Sequence, residues 1–182
     1  MAGYNFPALQ KNIIDTVQEF QIKLGGMGGP IALYYPLDSL NRLIGASLDE
    51  AGMTDALHAF ADWAKDRLGP VAVSNEGARF CLRVPDKGVA YAREHGGDTA
   101  FLRDFIALVS RFGATFDDIE ALFRRHDENA ACEKLAGGEF DALFYFPAGQ
   151  PDDYRYCVKF EGGMATYHRF TAGDYEALRG DE

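Results

Sequence analysis

The apolar positions near the start of the chain recur at helical spacing. Pro7 suits the first turn of a helix, where the missing proline N–H has no backbone partner to lose. Apolar residues then follow at intervals of three and four, which predicts one buried helical stripe that ends at Gly25-Gly26. The members of that stripe are Leu9, Ile13, Val17, Phe20 and Leu24.

The next segment changes from a strand pattern back to helices. Residues 31–35 are short and rich in strand formers, and Pro36 ends the predicted strand. Asp38 or Ser39 is then placed to cap a short helix through Leu43. Ser47 and Glu50 have the spacing of a capping box, but Gly52 interrupts, so a new helix is predicted to begin at Thr54. Its buried stripe comprises Leu57, Phe60, Ala61, Ala64 and Leu68.

Residues 71–84 predict a β-hairpin with its turn at 74–77. In the second strand, apolar side chains alternate with Arg79, Cys81 and Arg83. One face of this strand is therefore predicted to be buried, and the other is predicted to be polar.

Three helices are predicted in the middle of the chain. The first lies within 87–95, and the second runs from about Thr99 to Phe112, with Phe112 pointing inward. Thr115 and Asp118 have capping-box spacing and predict the start of the third. That helix ends in Arg124, Arg125 and His126, where cations suit the helix dipole.

The C-terminal third reads as strands followed by a last helix. Residues 130–135 contain helix formers, but the glycines and the apolar run 140–146 that follow favour a strand. Gly162-Gly163 suits a two-residue turn between strands 154–161 and 164–170. Thr171 and Asp174 then predict the cap of a final helix.

The resulting order of elements predicts an α+β fold: helices packed on one face of an antiparallel sheet, with a C-terminal β-meander. No linker or repeat interrupts the 182 residues, so residues 1–182 are expected to form a single globular domain.

Composition narrows the classes of partner. The net charge is −10, from 28 acidic and 18 basic residues, which disfavours nucleic acid and anionic membranes. Three widely spaced cysteines, with no basic and apolar leader and no long apolar run, suit a soluble cytoplasmic protein.

Motifs for cofactors and metals are missing. The glycines of 25–29 follow a predicted helix and precede a strand, whereas phosphate-binding loops need the reverse order. No two of the four histidines have metal-ligand spacing. The sequence therefore predicts neither a cofactor nor a metal site.

The C-terminal hairpin holds the candidate chemistry. Counting outward from Gly162-Gly163 places Cys157 opposite His168, close enough for an imidazole to activate a thiol, with Arg155 on the same face. The same count places Tyr156 opposite Arg169 on the other face. Cys157 and His168 are weak catalytic candidates, because an ordinary cross-strand pair explains them better and no oxyanion hole is visible.

A second set of residues is a candidate for binding: Arg155, Tyr156, Arg169 and Tyr34. Tyrosine combines a large apolar ring with a hydroxyl that needs a partner when it is buried. Core packing is therefore the favoured explanation of the tyrosines, and ligand contact is the alternative.

Several C-terminal segments resemble an uncharacterised bacterial family of small domains of unknown function. They are 152–157 (DDYRYC), 161–163 (EGG), 167–171 (YHRFT) and 174–176 (DYE), and 34–40 (YYPLDSL) fits the same pattern. The resemblance implies a strand at 130–135 and a bacterial cytoplasmic setting, and it implies no catalytic roles.

Three functions remain open at this stage. The preferred one is a non-enzymatic binding or regulatory module with an unidentified protein partner. The first alternative is a small enzyme that uses the Cys157–His168 pair, and the second is a structural or assembly protein. The oligomeric state stays undetermined.

Overall fold

The computed structural model describes residues 3–26, 28–77 and 79–180. These residues contain seven α-helices and seven β-strands. All strand pairs are antiparallel, which confirms the predicted α+β class. The strands form two sheets, and the chain divides into two compact units, Met1–Gly97 and Asp98–Glu182. Folding as one domain stays a prediction.

The first unit packs four helices with a three-stranded sheet in the order β1-β3-β2. Its inner face is apolar, because alternate residues of the central strand and its neighbour are buried, among them Leu33, Phe80 and Leu82. Helices contribute Ile13 and Phe60 to the same core. The elements are α1 (Phe6–Lys23), β1 (Ile31–Pro36), α2 (Leu37–Ile44), α3 (Glu50–Leu68), β2 (Ala72–Asn75), β3 (Arg79–Val84) and α4 (Asp86–His95).

The predicted buried stripe of helix α1 is wrong beyond the third turn of the helix. Phe20 is 39% exposed and Leu24 is 53% exposed, because the buried face turns toward Gln18 and the helix ends at Lys23. Gln18 Nε2 donates to the carbonyl oxygen of Gly97 at 3.3 Å. The polar groups of this face are therefore hydrogen-bonded within the unit.

Helix α3 begins earlier than predicted. Asp49 is its N-cap, and the Asp49 carboxylate accepts from the Gly52 N–H at 2.8 Å. Gly52, which suggested an interruption, is thus the residue whose N–H the cap satisfies. The predicted cap at Ser47 and the predicted separate start at Thr54 are both wrong. For α2, the predicted caps Asp38 and Ser39 are also wrong, since the helix starts directly after Pro36 without a side-chain cap.

The second unit contains three helices and a four-stranded meander in the order β4-β5-β6-β7. The strand prediction for 130–135 and the capping residues Thr115 and Asp118 are confirmed. The elements are α5 (Ala100–Val109), α6 (Phe116–His126), β4 (Ala131–Lys134), β5 (Ala142–Tyr145), β6 (Arg155–Glu161), β7 (Met164–Phe170) and α7 (Ala172–Gly180).

The meander has helices on both of its faces. Phe105 and Phe123 of α5 and α6 pack against Tyr156 on one face, at ring-centroid distances of 4.8 and 5.5 Å. On the opposite face, Tyr175 of α7 packs with Cys157. The expectation that helices cover one face of the sheet holds for α5 and α6, and α7 adds a second layer.

The C-terminal hairpin has the predicted register. Gly162 and Gly163 have φ angles of 59° and 80°, as the two-residue turn requires. Glu161 pairs with Met164, and the count continues to Arg155 opposite Phe170. By contrast, the inward position predicted for Phe112 is wrong, because α5 ends at Val109 and Phe112 is 78% exposed.

Candidate functional site

The predicted catalytic pair lies on the α7 face of the meander. Cys157 and His168 are Cα partners in neighbouring strands. Cys157 is fully buried, and burial raises the pKa of its thiol to about 12. His168 is exposed, and its ring lies 4.1 Å from that of Phe170. A nucleophilic cysteine needs a lowered pKa, so the environment of Cys157 opposes this chemistry.

The cations of this face also have partners within the unit. The Arg155 guanidinium lies 4.2 Å from the centre of the Tyr145 ring and donates to the Asp153 carbonyl oxygen at 3.3 Å. Lys159 Nζ lies 4.0 Å from a carboxylate oxygen of Glu161. These contacts hold the side chains against the sheet.

The opposite face carries a buried polar group that we call the Tyr156 cluster: Asp152, Tyr154, Tyr156 and Arg169. The Tyr156 hydroxyl donates to Asp152 Oδ2. Asp152 Oδ1 accepts from the Tyr154 N–H at 3.2 Å. The Arg169 guanidinium lies 4.3 Å from the Tyr154 ring centre and hydrogen-bonds with Tyr156. The cluster therefore joins the loop before β6 to both strands of the hairpin.

The electrostatics of the Tyr156 cluster follow from burial. Burial raises the pKa of Asp152, while the Tyr156 hydrogen bond and the Arg169 charge oppose the rise. Burial, followed by the Asp152 charge, raises the pKa of Tyr156 well above its ordinary value. Tyr156 therefore keeps its proton and remains a donor. Sequence reasoning missed Asp152 and Tyr154, although a short link from an Asp to the N–H two residues on is a recognisable turn signal.

The remaining candidate, Tyr34, lies on the outer face of the three-stranded sheet. Tyr34 pairs with Cys81, and Cys81 pairs with Ser74, so the three side chains form a row across the sheet. Arg79 and Arg83 flank Cys81 at two-residue intervals and share its face. We call these five residues the Tyr34 face.

The Tyr34 face is open where the inner face is packed. Tyr34 is 51% exposed, and Arg79 and Arg83 are both exposed. The hydrogen bond with Cys81 is the main cause that raises the pKa of Tyr34, and the nearby Arg83 charge opposes it. Within residues 3–26, 28–77 and 79–180, no ion pair joins Arg79 or Arg83 to a carboxylate. The face thus presents a tyrosine between two cations that form no ion pair with a described carboxylate.

The described part of the chain contains no group of three or more His, Cys, Asp or Glu side chains that could hold a metal ion. None of its helices has the length and apolar character needed to cross a membrane.

The fold defines an α+β protein with two antiparallel sheets. The chain matches the family described as a domain of unknown function from an E. rectale gene, DUF3877, over residues 6–179, and it belongs to that family. Neither the curated proteins nor the solved structures gave a match. The match covers both sheets, and the family's description assigns no activity to them.

Proposed function

We propose that this protein is a non-enzymatic binding module that docks an acidic segment of a partner protein on the Tyr34 face. The observation that carries the proposal is the exposed Tyr34 between Arg79 and Arg83, two cations without a carboxylate partner among the described residues. Tyrosine and arginine are the residue types most enriched where binding energy concentrates.

The chemistry of the Tyr34 face selects an acidic partner. Arginine presents a planar fork of donors that matches a carboxylate, and such charge-assisted hydrogen bonds are strong. The Tyr34 ring adds apolar contact area at low cost in side-chain entropy. A partner that supplies carboxylates beside an apolar or aromatic side chain satisfies all three groups.

The spacing on the sheet favours an extended segment. Arg79 and Arg83 are four residues apart on β3. At the rise of a β-strand their Cα atoms are about 13 Å apart. An extended acidic peptide places carboxylates at the same interval on its own residues i and i+4, so both arginines engage one straight segment.

The charge of the first unit permits this contact. Residues 1–97 contain 11 acidic and 9 basic residues, so the unit is nearly neutral despite the acidity of the whole chain. Glu76 is the acidic neighbour whose charge acts on Tyr34. The two arginines outnumber Glu76 at this face, although the Glu76 charge has a larger effect on Tyr34 than the Arg83 charge, and binding is expected to weaken as salt rises.

The test uses a short fluorescein-labelled peptide of alternating Glu and Ser, titrated with the intact protein and followed by fluorescence anisotropy. The double variant Arg79→Glu, Arg83→Glu is expected to weaken binding by about a hundredfold, because each position loses a charge-assisted contact worth a factor of about ten. Arg93→Glu is the matched control, since Arg93 is an exposed arginine on α4, away from this face.

Unchanged affinity of the double variant, at an unchanged thermal midpoint, would contradict the proposal. Equal binding of a Lys–Ser peptide would also contradict it, because the contact would then not depend on acidic side chains. A lack of saturable binding at millimolar peptide would contradict the proposal as well.

The alternative is a small enzyme that uses the Cys157–His168 pair. The observed register supports it, since the two residues are direct cross-strand partners. The fully buried, high-pKa thiol argues for the binding function instead.

A further inference from the structure

The second unit exposes an apolar surface at the tip of its meander. Phe112 is 78% exposed, and Met164, the first residue of β7, is 46% exposed. Gly163 lies between them, in contact with the Phe112 ring. We call Phe112, Gly163 and Met164 the Phe112 tip.

The Phe112 ring is held in this exposed position by the backbone. The Gly113 N–H donates to the Gly163 carbonyl oxygen at 2.7 Å, which ties the segment after α5 to the hairpin turn. A Cβ atom added at Gly163 would lie 2.6 Å from Phe112 Cζ, so the ring packs directly on the glycine backbone. One side of the Phe112 ring therefore rests on the turn, and the rest of the ring is exposed.

Single exposed apolar side chains are ordinary on protein surfaces. Here one is an aromatic ring that rests on Gly163, and the other follows Gly163 directly in the chain, while a backbone hydrogen bond ties the two segments together. A side chain that is already ordered loses little entropy when a partner covers it, which favours binding. The arrangement has the properties of an anchor for a partner.

Carboxylates outnumber cations in the chain segments that form the Phe112 tip, although Arg111 precedes Phe112 directly. Glu161 pairs with Met164 across the turn, and its exposed carboxylate lies 4.0 Å from Lys159 Nζ. Asp117 and Asp118 lie in the first turn of α6, a few residues after Phe112, and are exposed. Hydrogen bonds from Thr115, and to a smaller extent the Arg111 charge, lower the pKa of Asp118. Residues 98–182 contain 17 acidic and 9 basic residues, so the whole unit attracts cations.

We propose that the Phe112 tip is a docking site for a basic segment of a partner protein that carries apolar side chains between its lysines or arginines. The apolar side chains cover Phe112 and Met164, and the cations face the surrounding carboxylates. This site is separate from the Tyr34 face, and the two select partners of opposite charge.

The experiment titrates the intact protein with a short labelled peptide of alternating Lys and Leu, beside a matched Lys–Ser peptide. The Lys–Leu peptide is expected to bind more tightly, and Phe112→Ser is expected to weaken its binding about tenfold or more, since a buried aromatic anchor carries that much affinity. Phe112→Leu keeps an apolar side chain, so its affinity for the Lys–Leu peptide is expected to lie between those of the unmodified protein and Phe112→Ser. Phe20→Ser removes a half-exposed phenylalanine of α1 and serves as the control.

Three outcomes would overturn the proposal. The first is that a folded Phe112→Ser variant binds the Lys–Leu peptide as tightly as the unmodified protein does. The second is that the protein binds the Lys–Leu and Lys–Ser peptides equally well, or binds neither at millimolar concentration. The third is concentration-dependent self-association in analytical ultracentrifugation that Phe112→Ser abolishes, because the occupant would then be a second copy of the chain. The Glu–Ser titration of the Arg79→Glu, Arg83→Glu variant is independent of all three, so the two proposals fail separately.

Discussion

The Tyr156 cluster and the Tyr34 face use the same residue types to different ends. In the second unit, Tyr156 is fully buried, and its hydroxyl is engaged by Asp152 and Arg169. In the first unit, Tyr34 is half exposed between two arginines without carboxylate partners among the described residues. Tyrosine and arginine with internal partners stabilise a fold, whereas the same groups on an open sheet face are available to a partner.

The largest expected effect is the difference in protein stability between alanine variants of Tyr156 and Tyr34. Tyr156→Ala removes a fully buried aromatic side chain and is expected to lower the free energy of unfolding by about 3–5 kcal/mol. Tyr34→Ala is expected to change it by no more than about 0.5 kcal/mol, as is usual at exposed sites. Urea denaturation followed by circular dichroism measures both.

A control refines the role of the hydroxyl. Tyr156→Phe keeps the ring and removes the hydroxyl donor to Asp152 Oδ2, so a loss of about 1–3 kcal/mol is expected. If Tyr34→Ala destabilised the protein as much as Tyr156→Ala, the assignment of Tyr34 to an open face would be wrong.

An intermediate effect is expected at the hairpin turn. Gly163→Ala places a side chain at a φ of 80° and against the Phe112 ring, whereas Gly137→Ala places one at 84° in open space. Both variants carry backbone strain of about 1 kcal/mol or more, and Gly163→Ala adds the clash, so it should have the lower urea midpoint. Equal midpoints would show that Phe112 does not rest on the turn.

The smallest effect concerns the two cysteines Cys157 and Cys81. Because the pKa of Cys157 is raised to about 12, iodoacetamide should alkylate this thiol slowly in the native protein, without a rise near pH 8.5. His168→Ala should leave the rate unchanged. Cys81, the cross-strand neighbour of Tyr34, is buried but 7% exposed, and it is expected to react faster than the fully buried Cys157.

A Cys157 rate that rises at neutral pH and falls in His168→Ala would instead support the enzyme alternative. Mass spectrometry of the alkylated peptides distinguishes the cysteines. This measurement therefore decides whether the second unit holds reactive groups besides its structural ones.

Local patterns predicted much of the fold. The register of the C-terminal hairpin followed from Gly162-Gly163, because a two-residue turn fixes every pair by counting outward. The caps at Thr115 and Thr171 followed from residues three positions apart. In each case the decisive partners are neighbours in the sequence.

Features that depend on distant contacts were not predictable. Phe112 continues the apolar spacing of α5, but the Gly113 bond to Gly163, fifty residues later, draws it out of the helix. The Tyr34 face needs the pairing of β1 with β3, which are separated by two helices. The alternation of Arg79, Cys81 and Arg83 predicted a polar face, but it gave no information on which strand would place a tyrosine beside them.

The central claim is that the open face of the first unit is the one that binds an acidic partner. Backbone amide chemical shifts of the 15N-labelled protein, recorded during titration with the Glu–Ser peptide, test it most directly. The account predicts saturable shifts on β1 and β3 around Tyr34, Cys81 and Arg83, with Tyr156 and Arg169 unmoved. Shifts that concentrate on residues 155–170, or that persist in the Arg79→Glu, Arg83→Glu variant, would contradict it.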